Sequence, residues 1–124
     1  YALYSTANYS NGLRQRSIIY IQNMGSSLAS GAVKVKYFDK NGKLIGTHSL
    51  GSMANGARIE SNASKIGSAG AEFGYYSDGT SGGSALIEAP AGSNLMAAVW
   101  VHSNPSKGLY RGEAYNAIPI LLAP

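Results

Sequence analysis

Ala32-Val33-Lys34-Val35-Lys36-Tyr37-Phe38-Asp39-Lys40-Asn41-Gly42-Lys43-Leu44-Ile45-Gly46-Thr47-His48-Ser49 is the stretch that decides the fold class. Val33, Val35 and Tyr37 alternate with Lys34 and Lys36. That is the two-residue period of a strand with one dry face and one wet face. Asn41-Gly42 then falls between two such runs, the strongest short-range sign of a β-hairpin. Gly42 accepts a positive φ at no steric cost, and Asn41 tolerates one. The pattern predicts a hairpin over residues 34–49 that turns at Asn41-Gly42 and contains no helix.

Working outward, the same grammar repeats. Residues 2–6 form a weak run, broken by residues 8–12. Residues 16–22 form the first strong strand, closed by Asn23-Met24-Gly25-Ser26-Ser27. Downstream, Asn55-Gly56 marks a turn, residues 58–61 a short strand and residues 62–82 a Gly-rich loop. A loop of that length is unusual in a compact domain and often functional. Residues 84–89 form a strand ended by Pro90 and Gly92, residues 94–102 a long apolar strand, and residues 113–122 the last one. Pro119 cannot donate to a ladder, so the last strand should lie at an edge or carry a bulge. No window holds a helical period for three turns. Seven strands, with an eighth at the N-terminus, predict an all-β, antiparallel sandwich. One domain spans 1–124, with 1–12 as an extending strand or linker. Its core should be built from Ile19, Ile21, Val33, Val35, Tyr37, Ile87, Leu95, Val99 and Ile118.

Some strands are apolar on both faces. Ile18 and Tyr20 oppose Ile19 and Ile21; Met96, Ala98 and Trp100 oppose Leu95, Ala97, Val99 and Val101. A lone sandwich needs one dry face per strand. Either a neighbouring copy covers the surplus, or long strands cross a closed barrel, or the Ala and Tyr simply sit at the surface, as scattered apolar residues commonly do.

Composition narrows the function classes. The 124 residues carry 13% charged and 44% hydrophobic residues, with 16 Gly, nine Tyr, two Phe and one Trp. Such a Gly- and Tyr-rich, charge-poor chain is folded rather than disordered, and the profile suits an extracellular or cell-surface location. The absence of Cys removes disulfide scaffolds, zinc ribbons and thiol nucleophiles. No apolar run reaches the roughly 18 residues of a membrane span. Beginning at Tyr1, the chain reads as a processed chain or an excised domain. The formal charge of +4 is dispersed, with nothing denser than Arg14/Arg16 or Lys34/Lys36. Nucleic acid is therefore not the expected partner.

No catalytic constellation emerges. His48 and His102 are the two histidines, and neither stands at a spacing that joins it to a nucleophile and a carboxylate. Two His without a spaced acid make no metal site, and Asp78-Gly79-Thr80 lacks the further acids of a calcium loop. No helix follows Gly79–Gly83, so an anion cradle is not expected. No cofactor is implied. An inward Glu88 would need a Lys or Asn partner, such as the Lys34 or Lys36 and Asn94 or Asn116 of an isopeptide cross-link; an outward Glu88 needs none. Asn8-Tyr9-Ser10 and Asn62-Ala63-Ser64 fit the N-glycosylation sequon. Tyr75, Tyr76, Trp100, His102 and Tyr110 could form an aromatic platform for carbohydrate, against the plainer reading of Tyr as filler of strands and interfaces.

Several stretches, in order, resemble one family. Ser17-Ile18-Ile19-Tyr20-Ile21-Gln22-Asn23-Met24-Gly25-Ser26-Ser27 resembles the opening strand and small turn of Ig-like repeats in bacterial cell-surface and secreted proteins. The hairpin quoted above resembles the one that follows there. Gly82-Gly83-Ser84-Ala85-Leu86-Ile87-Glu88-Ala89-Pro90 and Leu95-Met96-Ala97-Ala98-Val99-Trp100-Val101 resemble the paired late strands, and Ala114-Tyr115-Asn116-Ala117-Ile118-Pro119 the closing motif. The similarity covers about residues 16–120. Phe73, Tyr75 and Tyr76 depart from it, in a loop where a plainer connection would be expected. The resemblance implies an Ig-like sandwich used as a spacer or surface module, without catalytic residues.

The expected function is thus a structural subunit of an extracellular filament or surface layer, not an enzyme. Its partner is a copy of itself, met head to tail through strand contacts. Both ends have β-character, so Tyr1, Leu3 and Tyr4, or Ile118, Ile120 and Leu122, should meet a neighbour, with Met96 and Trp100 as the receiving face. A non-catalytic carbohydrate- or ligand-binding module is the alternative, and one spacer repeat of a larger surface protein a third.

Overall fold

A computed structural model of the chain describes residues 2–4, 7–8, 14–39, 41–62, 83–103 and 112–117. These form nine strands: β1 (Ala2–Tyr4), β2 (Ala7–Asn8), β3 (Arg14–Asn23), β4 (Lys34–Asp39), β5 (Leu44–Ser49), β6 (Arg58–Asn62), β7 (Gly83–Glu88), β8 (Leu95–Ser103) and β9 (Gly112–Asn116). No helix occurs among the described residues. The expectation of seven to eight strands meets a finer division, because a two-residue β2 follows β1 and ends at Asn8, the start of the break predicted over residues 8–12.

The strands make two antiparallel sheets. One runs β1-β7-β4-β5; the other runs β2-β3-β8-β9, with β6 also paired to β3. The β2 and β6 strands share one edge of β3, at Arg14–Gln15 and Ile18–Gln22 respectively. The predicted hairpin is β4–β5, in register from Lys34↔Ser49 to Tyr37↔Gly46. Gly42 sits at φ 84°, the left-handed region the turn requires. The pairing then shifts to Phe38↔Leu44, which leaves Ile45 unopposed as a bulge.

One core lies between the sheets. Val33, Val35, Tyr37 and Ala85 come from the β4–β7 side, and Ile19, Ile21 and Val99 from the β3–β8 side. Each large aliphatic side chain so buried contributes about 1.5–3 kcal/mol. Ile87 and Leu95 are only partly buried, against this cluster. Leu50 and Met53, from the connection between β5 and β6, complete it. They hold no strand period; long-range backbone bonds place them. Leu28 and Met53 exchange both N–H···O bonds at 2.8 and 2.9 Å, and the Gly31 amide donates to the Leu50 carbonyl at 2.8 Å. Ile118, Pro119, the loop over residues 63–82, and the C-terminal half of the strand predicted over residues 113–122 lie outside the described residues.

The connection after β3 is tied down by Asn23, which is fully buried. Its side-chain amide donates to the carbonyls of Ser26 (2.9 Å) and Met53 (3.0 Å), and its Oδ1 accepts from the Gly25 amide at 3.0 Å. Its backbone joins in: the Gly56 amide donates to the Asn23 carbonyl at 2.6 Å, and the Asn23 amide donates to the Ala57 carbonyl at 2.9 Å. Asn55 Nδ2 donates to the Gly25 carbonyl at 2.9 Å. The Asn55-Gly56 turn, with Gly56 at φ 83°, is thereby clamped onto the end of β3. A side chain at Gly25 would place its Cβ 3.2 Å from that of Asn94, a tight approach that the exposed Asn94 would have to yield to by a few tenths of an ångström.

Candidate functional sites

Two clusters of side chains invite a functional reading. The first is inside. Tyr37 on β4, His48 on β5 and Ser61 on β6 all face the core. Ser61 Oγ lies 2.6 Å from the Tyr37 hydroxyl and 2.8 Å from His48 Nδ1. The β5 and β6 strands are edges of opposite sheets, so this chain of polar groups fastens one sheet to the other along that side. Burial pushes the His48 imidazole below its ordinary 6.5, which favours the neutral ring. A Ser–His pair suggests a nucleophile and its base, but Ser61 is 0% exposed. No substrate carbonyl can reach its oxygen without opening the sheets, and both neighbours already occupy it. The chemistry of this cluster is structural.

The second cluster is on the outer face of the β3–β8 sheet. Strand parity puts Ile18, Tyr20 and Gln22 there, opposite Ile19 and Ile21. Register aligns them into rows: Asn62, Ile18 and Trp100; Glu60, Tyr20 and Ala98; Arg58, Gln22 and Met96. Trp100 is 41% exposed and Met96 59% exposed. The Tyr20 and Trp100 rings have centroids 6.3 Å apart and are inclined at 37°. The Arg58 guanidinium carbon lies 4.9 Å above the Tyr20 ring, within cation–π range. Glu60 Oε1 reaches the same guanidinium at 3.9 Å. Tyr20, Arg58, Ala98 and Trp100 border an open depression of about 430 Å³.

The sequence marked Tyr20, Met96 and Trp100 as surplus apolar residues but did not point to Arg58 or Glu60. Those two come from β6, and only its pairing with β3 brings them beside Tyr20. Leu3 and Tyr4 belong to β1, opposite Ser84 and Gly83 of β7. Within the single chain these residues form an edge strand paired to β7. His102 lies in β8, opposite Arg16 and Gly112. Asn8 lies in β2, and Asn62 ends β6. Tyr1, Tyr75, Tyr76, Tyr110, Ile118, Ile120 and Leu122 lie outside the described residues.

On the other sheet's outer face, Lys36 Nζ meets Glu88 Oε1 at 2.9 Å. Glu88 faces outward, opposite Lys34, which answers the question of an inward acid. Asn116 pairs with Ala98 in the other sheet, and the Asn94 carbonyl accepts from the Met24 amide just past the end of β3, so each asparagine that a cross-link would use is placed with the sheet opposite to Lys34 and Lys36. Among the described residues no group of three His, Cys, Asp or Glu side chains could hold a metal. No helix there is long and apolar enough to cross a membrane.

Comparison with protein-family models, curated proteins and solved structures found no match to this chain.

Proposed function

We propose that the chain is a structural, non-catalytic module of an extracellular or cell-surface assembly, an Ig-like sandwich joined to copies of itself by its N-terminal strand. The observation that carries this is the place of β1. In an Ig domain the sixth strand lies between the third and the last, and the last is joined to it by a hairpin; β7, which pairs with β4 of the first hairpin, takes the corresponding central place. Here the strand following β7 crosses to the other sheet and pairs with β3, and β1 takes the seat beside β7. Among the described residues that seat is held by the pairs Ala2↔Ala85, Leu3↔Ser84 and Tyr4↔Gly83. An edge strand paired in this way can also be supplied by a neighbouring copy, since main-chain bonds carry the contact. Head-to-tail exchange of this kind runs on into a filament unless it closes. The sealed Ser61–His48 pair and the low charge agree with a module that does no chemistry.

Sedimentation velocity over a range of concentrations, with electron microscopy of the same samples, tests this. The full chain is expected to form linear oligomers as concentration rises. A chain lacking residues 1–8 should keep its β-sheet circular dichroism and stay monomeric. A full chain that is monomeric at millimolar concentration, or a truncated one that polymerises equally well, overturns the proposal.

A further inference from the structure

We propose that the outer face of the β3–β8 sheet around Tyr20, Arg58 and Trp100 is a binding platform for neutral hexopyranose units of a glycan. The site is separate from the β1 seat and does not depend on self-association.

Three observations select this occupant. First, the exposed apolar surface among the described residues of this face is small. On this face Trp100 and Met96 are the large exposed hydrophobics among the described residues, whereas a stable protein interface engages roughly 20–30 residues a side. Second, the shape is a shallow trough. Two rings inclined at 37° border an open depression of about 430 Å³, a surface that can meet one face of a flat ligand without enclosing it. A pyranose has one face of C–H groups, which can pack on the exposed Trp100 ring, since Arg58 already covers one face of Tyr20, and a rim of hydroxyls that must be hydrogen-bonded. Third, the polar groups match that rim. Arg58 presents donors over Tyr20, and Glu60 presents an acceptor beside it. Their side chains stay 60% and 54% exposed, so both can reach a ligand. Their opposite charges offset each other, which disfavours a polyanion and suits an uncharged sugar.

Trp100 is the chain's single tryptophan, so its fluorescence reports this face and nothing else. The test titrates the full chain with neutral oligosaccharides: cello-, xylo-, manno-, malto- and chito-oligomers, with heparin and polygalacturonate as acidic comparators. A saturable change of emission with at least one neutral series is expected. By calorimetry, Trp100→Ala and Arg58→Ala should each weaken that binding about tenfold or more, about 1.4 kcal/mol or more. Trp100→Phe should retain part of it, and Lys36→Ala, on the opposite sheet, all of it. Unchanged circular dichroism shows that each variant is folded. No saturable binding across the neutral series, binding confined to the acidic polymers and lost in 0.5 M salt, or equal binding by Trp100→Ala and the parent chain would each overturn the assignment.

Discussion

The Tyr37 hydroxyl on β4 and the Ser61 hydroxyl on β6 lie 2.6 Å apart across the space between the two sheets. Both residues are fully buried, so the bond forms where water cannot compete. Ser61→Ala removes it together with the bond to His48. The expected cost is about 1–3 kcal/mol, read as a drop in the urea midpoint with an unchanged m-value. A midpoint unmoved by the substitution would mean that the sheets are held by apolar packing alone.

Stability should depend on pH through His48. Its folded pKa is depressed by burial, so the unfolded chain binds the proton more readily than the folded one. Stability from the neutral ring is complete above about pH 6.5, the ordinary value, and declines as pH falls through the lower folded value. His48→Gln should flatten this part of the curve. Thermal melts of both chains from pH 7.5 down to pH 4.5 make the comparison.

Asn23 holds the connection between β3 and β4 with its side chain and its backbone. Asn23→Ala leaves the Gly25 amide and the Ser26 and Met53 carbonyls without that partner, at a cost of about 2–3 kcal/mol. Asn23→Asp should fare no better. A carboxylate can still accept from Gly25 but cannot donate to the two carbonyls. Chemical denaturation of the two variants beside the parent chain checks the order.

Val99 and Trp100 are neighbours on β8 that point to opposite faces. Val99→Ala should cost about 1–3 kcal/mol, from lost transfer energy and the cavity left behind. Trp100→Ala should cost less than about 1 kcal/mol, since the indole is exposed. The reverse order in thermal melts would mean that β8 is shifted by one residue.

Glu88→Gln should change stability by less than about 1 kcal/mol. The Lys36–Glu88 pair is about a third exposed on each side and is screened by solvent. A larger loss in denaturation at 0.15 M salt would give the pair a weight that its exposure does not suggest.

What residues 32–49 determined alone was local and periodic. Alternation buried Val33, Val35 and Tyr37, and Asn41-Gly42 placed the hairpin, because side-chain parity and left-handed backbone are properties of a few adjacent residues. Strands over residues 16–22, 58–61, 84–89 and 94–102 were legible for the same reason. Their partners were not. The crossing of β8 to β3, the seat of β1 beside β7 and the bulge at Ile45 depend on which edges meet, a choice made by the whole core. Leu50 and Met53 follow no period and are buried because distant backbone groups hold them. Ser61 and His48 read as unremarkable strand residues until β5 and β6 became edges of facing sheets. Tyr20, Arg58 and Trp100 stand far apart in the chain. Only the register of β3 with β6 and β8 lays them on one face, since strand pairing sets side chains about 5 Å apart whatever their separation in sequence.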